Sequence, residues 1–230
     1  VENLIIRKTK ALEGKDKGKF LRSYLFEGSE VYSETLDENL EIVETNGTLP
    51  DGLVKEFFDN GLTYFECMFK DGKRHGTSRI YYETGKINVE KQYCDGMLNG
   101  RAYVYYPTGR LREEFYYVKD IENGRRLKYY PNGKILEVAE YDNGYLDGIC
   151  KAYDEDGNLK SESKYEKDNI VGDKIVYHKN GTIAMISPHK NGKAHGLTKK
   201  YSETGELLEE WLFEDGQLKS KKDYTLNVKI

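Results

Sequence analysis

GRRLKYYPNGKILEVAEYDNGYLDG, residues 124–148, holds the reading of the whole chain. It opens on Gly124, sets Tyr129 and Tyr130 ahead of Gly133, follows with Ile135, places Tyr141 before Gly144, and closes on Gly148. In steps of 24 the opening glycine recurs without insertion as Gly52, Gly76, Gly100, Gly148, Gly172 and Gly196. The second recurs as Gly61, Gly85, Gly109, Gly157, Gly181 and Gly205. A sustained period of this length is the mark of a repeat array, and glycines at fixed offsets mark turns that need positive φ. The third glycine recurs as Gly72, Gly96, Gly192 and Gly216, with Asp120 and Asp168 in its place in two repeats. Asp tolerates the left-handed region better than most residues, so a turn is expected there too.

Three apolar columns run between the glycines. The first is always aromatic: Phe57, Tyr81, Tyr105, Tyr129, Tyr153, Tyr177, Tyr201. The second reads Thr63, Ile87, Leu111, Ile135, Leu159, Ile183, Leu207, and the third Phe69, Tyr93, Tyr117, Tyr141, Tyr165, His189, Phe213. The second and third are six residues apart, and side chains alternate along a strand, so both are expected on one face. Each repeat then reads as two strands and two tight turns; in the fourth, 125–130 is one strand, 131–133 the turn and 135–141 the return. Turns this short leave no room for a crossover helix, so neighbouring strands must be antiparallel. The expected fold is all-β: an elongated single antiparallel sheet of tandem 24-residue hairpins, with equivalent residues of adjacent repeats about 10 Å apart.

This pattern, Gly-x4-Tyr-(Tyr)-x2-Gly-x-(Ile or Leu) followed by Tyr-x2-Gly-x3-Gly, resembles the MORN repeat. It is most similar to the bacterial 24-residue variant, often labelled as antitoxin components of the YwqK type. The resemblance covers residues 52 to about 219. It implies an extended sheet that mediates protein contacts, and it makes neutralisation of a cognate toxin an alternative function. The lipid-kinase association of some eukaryotic members does not transfer, because the chain has no Gly-rich phosphate loop, His-Arg-Asp or Asp-Phe-Gly segment.

Composition agrees with an array. Hydrophobic residues make up 37% and charged residues 33%, too little apolar material for a thick core, and the supply is concentrated in 20 Tyr. The net charge of −4 hides an asymmetry: residues 1–27 carry seven Lys or Arg against four acids, while 28–51 carry seven acids and no base, leaving the repeats neutral. Without a basic stripe a nucleic-acid partner is not expected, and a membrane head-group role is disfavoured. Cys67, Cys94 and Cys150 match no metal or redox spacing, and no cofactor is expected. No run of 18 apolar residues is present. The start at Val1 without Met fits removal of a signal, which makes an exported or periplasmic location the expectation and the cytoplasm the alternative. The expected organisation is an irregular or degenerate N-terminal cap over 1–51, seven repeats over 52–219 and a C-terminal edge strand or tail over 220–230. In the cap, Tyr32, Leu40, Ile42, Val43 and Gly47 look like a degraded repeat. In the tail, Tyr224, Leu226 and Val228 alternate as an edge strand would. The oligomeric state is left open.

Two features are candidate partner-binding surfaces. Glu66, Glu90, Glu114, Glu162 and Glu210 form an acidic column, broken by Val138 and Ile186, expected on the returning strand opposite the second and third columns. Members about 10 Å apart are too widely spaced for an acid–base pair, so the column reads as cross-strand partners of Lys or Arg such as Arg79 and Lys128, or as a ridge for a basic protein. Phe58, Tyr82, Tyr106, Tyr116 and Tyr130 form a second aromatic set, expected opposite the first Tyr column or at turn corners. The four His lack a partnered constellation: His75 and His195 share one repeat position, His189 stands in the third column and His178 takes the place of the second aromatic. The chain is therefore expected to be a protein-binding scaffold and not an enzyme.

Overall fold

The computed structural model describes residues 3–225; Leu226 and Val228 of the expected tail lie outside the described residues. Among the described residues there are β-strands, one 3-10 turn at Gly14–Asp16 and no α-helix. The described residues divide into two compact units, 3–110 with 118–120, and 111–117 with 121–225.

In the C-terminal unit the strand pairings are antiparallel. Gly124–Tyr129 pairs with Ile135–Asp142, Gly148–Tyr153 with Leu159–Glu166, Asn169–Tyr177 with Ile183–Lys190, and Gly196–Tyr201 with Leu207–Glu214, which Gln217–Asp223 follows. Two turn types alternate. At the hairpin tip the Tyr130 N–H donates to Lys134 O and the Gly133 N–H to Tyr130 O, with Gly133 at φ 89. Tyr130, expected as the last residue of its strand, instead opens this turn. Between hairpins two consecutive residues take positive φ, as in Asp215 and Gly216. That is the conformation of a tight turn matching the right-handed twist of the flanking strands. Asp120 and Asp168, at φ 67 and 66, do what glycine does elsewhere.

Each tip is followed by a β-bulge. Tyr129 pairs with Ile135 but Lys128 pairs with Glu137, leaving Leu136 without a partner, and the same shift recurs at Ala152/Tyr153, Val176/Tyr177 and Lys200/Tyr201. One extra residue reverses the alternation beyond it. The expectation that the second and third columns share a face is therefore overturned. Directly opposed residues share a face, so Ile135 lies with Tyr129, and so does Val138 three residues on, across from Leu127. Tyr141 lies on the other face, across from Gly124. The opening glycine thus sits opposite the third column, as in Gly148↔Tyr165 and Gly196↔Phe213, and it holds positive φ, 129 and 112 in these two.

The N-terminal unit uses the same hairpins over Gly52–Phe57, Thr63–Lys70, Lys73–Tyr81, Ile87–Cys94 and Met97–Tyr105. Ahead of them Leu4–Ala11, Phe20–Phe26, Ser29–Leu36 and Ile42–Gly47 pair antiparallel in sequence order. Leu4–Ala11 also pairs parallel with Gly52–Phe57, Ile5 beside Val54. This junction is the deepest core: Ile5, Tyr24, Leu49, Val54, Phe65, Cys67 and Phe69 are buried together. Leu40 is no column member. It occupies the tip-turn position that Gly61 fills in the first repeat: the Leu40 N–H donates to Asp37 O as Gly61 N–H does to Phe58 O, and its φ is 64. The exposed Ile42 and Val43 follow it on the edge strand.

Candidate functional site

The bulge decides which side chains meet. On the face of the first Tyr column, which we call the tyrosine face, Lys55 opposes Glu66, Arg79 opposes Glu90 and Lys151 opposes Glu162. The acidic column therefore shares a face with the first Tyr column instead of standing behind it. The two are hydrogen-bonded: Tyr81 OH donates to Glu66 Oε1 at 2.6 Å, Tyr177 OH to Glu162 Oε1 at 2.6 Å, and Tyr224 OH to Glu210 Oε2 at 2.7 Å.

Cations complete the network. Lys55 Nζ lies 3.2 Å from Glu66, Arg79 spans Glu66 at 3.2 Å and Glu90 at 2.6 Å, and Lys151 lies 3.3 Å from Glu162. Burial disfavours the charged Glu66 carboxylate, but the bonds from Tyr81, Lys55 and Arg79 outweigh it and hold its pKa below the usual carboxylate value. For Glu162 the Tyr177 bond is the largest influence and the direction is again downward. Burial and the Glu66 bond push Tyr81 up to about 12, and the Glu162 bond with burial does the same to Tyr177. Glu114 is likewise engaged, and its charge helps raise Tyr129, after burial. The pairing of Arg79 agrees with the cross-strand reading; Lys128 instead pairs on the other face, with Glu137 at 2.8 Å.

The second aromatic set separates into two. Phe58, Tyr82, Tyr106 and Tyr130 stand at hairpin corners, the second of the two expected placements. Tyr82 OH donates to Tyr105 O at 2.7 Å and Tyr130 OH to Tyr153 O at 2.8 Å, each tying one tip to the next repeat. His178 fills the same position, its Nε2 2.9 Å from Tyr201 O, which a carbonyl acceptor requires to be the protonated nitrogen. Phe58 packs edge-on against Tyr64 with centroids 5.1 Å apart. Tyr116 belongs elsewhere, near the glycine end of the tyrosine face. With Ile149, Leu197 and Leu212 it lies at one level of that face in the C-terminal unit, at 43%, 47%, 40% and 36% exposure; Leu197 stands directly across from Leu212, while Ile149 faces Lys164 and the Arg125–Glu140 pair stands between it and Tyr116. Ile149, Leu197 and Leu212 were missed in the sequence. Their only signal is period-2 alternation, and the bulge hides its phase.

The opposite face buries small and polar groups: Ala102, Ala139, Ser163 and Ser187, with Ser187 Oγ 2.9 Å from Thr198 Oγ1. Arg126 pairs with Glu113 at 2.7 Å while its guanidinium lies 4.9 Å from the Phe115 ring centroid. His195 sits 3.3 Å from Asp215, and His189 Nδ1 contacts Ser187 O at 2.7 Å. Among the described residues no group of three or more His, Cys, Asp or Glu is placed to hold a metal, and no helix is long and apolar enough to cross a membrane.

These features define a class: an all-β protein of tandem hairpins with a regular ladder of side chains on each face. The family described as MORN repeat variant matches residues 74–95, 98–119, 122–143, 146–167 and 194–215, and across 74–215 the chain belongs to the MORN-repeat family. No curated protein matches the chain. The intervening 170–191 escapes the match, yet it forms the same bulged hairpin, Asn169–Tyr177 with Ile183–Lys190. Pro188 and His189 on its returning strand alter the side chains without altering the pairing.

Proposed function

We propose that this chain is a non-catalytic scaffold that holds a protein partner against the tyrosine face of its C-terminal unit. The observation that carries the reading is the exposed, directly opposed apolar pair Leu197 and Leu212, with the exposed Ile149 and Tyr116 further along the same face. Exposed apolar side chains interspersed with charged ones along one face give a partner a desolvatable surface with polar margins. The acidic column supports docking of a basic protein less well. Glu66, Glu90 and Glu162 already accept from neighbouring cations, so an incoming charge would have to displace them.

The test is affinity capture with the wild-type chain and with Leu197→Asp/Leu212→Asp, both shown to be folded. Loss of a captured protein in the double variant alone is the expected result. Equal capture by both would remove the leucine pair from the interface. The antitoxin alternative predicts that the captured protein is a toxin whose activity the chain suppresses. A head-group module predicts instead co-sedimentation with anionic vesicles and no stoichiometric protein partner.

A further inference from the structure

A cleft of about 210 Å³ opens on the face opposite the Tyr column within the N-terminal unit, lined among others by Arg7, Arg22, Arg74, Lys91, Phe65 and Val89. Four cations and no carboxylate line it. Two are already matched: Arg7 is clamped by Glu56 through Nε at 2.7 Å and Nη2 at 2.6 Å, and Arg22 Nη1 lies 3.1 Å from Glu34. Glu34 also accepts from Tyr24 OH and Tyr32 OH, so its oxygens are committed. The other two are unmatched. Arg74 bonds only the Tyr93 hydroxyl, at 3.1 Å, and Lys91 has neither an ion pair nor a hydrogen bond among the described residues. The Arg22 Nε is buried without an acceptor. Arg7 Cζ lies over the Phe65 ring, 3.7 Å from its centroid, and Arg74 Cζ is 5.3 Å from the Tyr93 centroid, so aromatic packing positions both guanidiniums.

We propose that this cleft binds a phosphate monoester, with Arg74 and Lys91 matching its two negative charges, Arg22 donating the spare Nε–H, and Phe65 and Val89 forming an apolar wall beside the ester group. The count of charge selects the ligand: two uncompensated cations fit a group carrying about −1.5 to −2 at neutral pH. Guanidiniums held in place suit its oxygens, and apolar walls strengthen the attraction by excluding water. The site lies within the N-terminal unit and stands independently of the scaffold reading, which rests on the other unit.

Titration calorimetry of the full chain with phenyl phosphate and with inorganic phosphate tests it. Saturable one-to-one binding of phenyl phosphate is expected, with Kd raised about tenfold in Lys91→Gln and further in Arg74→Gln/Lys91→Gln, and unchanged in Lys160→Gln, an exposed lysine of the other unit. Lys91→Gln removes no ion pair or hydrogen bond among the described residues, and a thermal melt checks that the variant stays folded. Weaker binding of inorganic phosphate than of phenyl phosphate supports the apolar wall. Absence of saturable binding, equal weakening by Lys160→Gln, or association only with phosphatidic acid vesicles that Lys91→Gln leaves intact would each overturn the assignment.

Discussion

The hydroxyl of Tyr81 donates a 2.6 Å hydrogen bond to the carboxylate of Glu66, fifteen residues earlier. Tyr177 and Glu162 repeat the bond at the same spacing and length. The first Tyr column is thus more than a ridge of packed rings: at Tyr81 and Tyr177 it carries a phenol–carboxylate link to the repeat before.

Removing that link has a graded cost. Tyr177→Phe is expected to lose about 1–2 kcal/mol, since a hydrogen bond to a charged acceptor is lost from a half-buried site. Tyr153→Phe, where Val138 takes the place of the acid, is expected to lose less than about 0.5 kcal/mol. Both lie in the C-terminal unit, and urea denaturation compares them directly. Equal losses would show that the rings alone hold the column.

Stability should fall at both ends of the pH scale through the same pair. Glu162 titrates below its ordinary 4.5 in the folded chain, so its contribution is complete above that value and is lost as pH drops through the lowered pKa. Tyr177 is pushed from 10.0 up to about 12, so its contribution is complete below 10 and is lost as pH rises toward 12. Melting temperature against pH should show both declines, with the alkaline one shallower in Tyr177→Phe. An alkaline limb identical in the two proteins would refute the link.

The repeat glycines are not equivalent. Gly133 has φ 89 and open space around it, so Gly133→Ala should cost about 1 kcal/mol for the left-handed backbone alone. At Gly52 an added Cβ would run into the backbone carbonyl of Asn3, and Gly52→Ala should cost about 3 kcal/mol or more by pushing the N-terminal strand from its parallel partner. Chemical denaturation followed by circular dichroism ranks the two, and a cheaper Gly52→Ala would deny the parallel junction.

Leu40 invites the reverse substitution. It holds φ 64 at a position where the repeats place glycine. Leu40→Gly should stabilise by up to about 1 kcal/mol, because the exposed side chain gives little back for the strain. A destabilised variant would mean that the leucine packs in a way its exposure does not reveal.

What the chain states on its face is local. Positive φ is a property of one residue and its neighbours, so Gly133, Gly216, Asp120 and Asp168 announced their turns, and the regular spacing of such turns imposed antiparallel hairpins with no helix. The period also placed Tyr82, Tyr130 and His178 at one position, although not the carbonyls they reach. Leu40 broke the pattern because a leucine in a glycine conformation carries no sign of it.

The tertiary structure decided which residues share a face. A strand's alternation can be counted from the sequence only if pairing runs without interruption, and the unpaired Leu136 and its equivalents reverse it in every repeat. A bulge is a relation between two strands and leaves no fixed residue type behind. For that reason Glu66 was placed behind the tyrosines when it is bonded to one. Likewise, nothing short of the parallel contact between Ile5 and Val54 could bring Arg7 and Arg22 beside Arg74 and Lys91, since those side chains meet only where distant strands do.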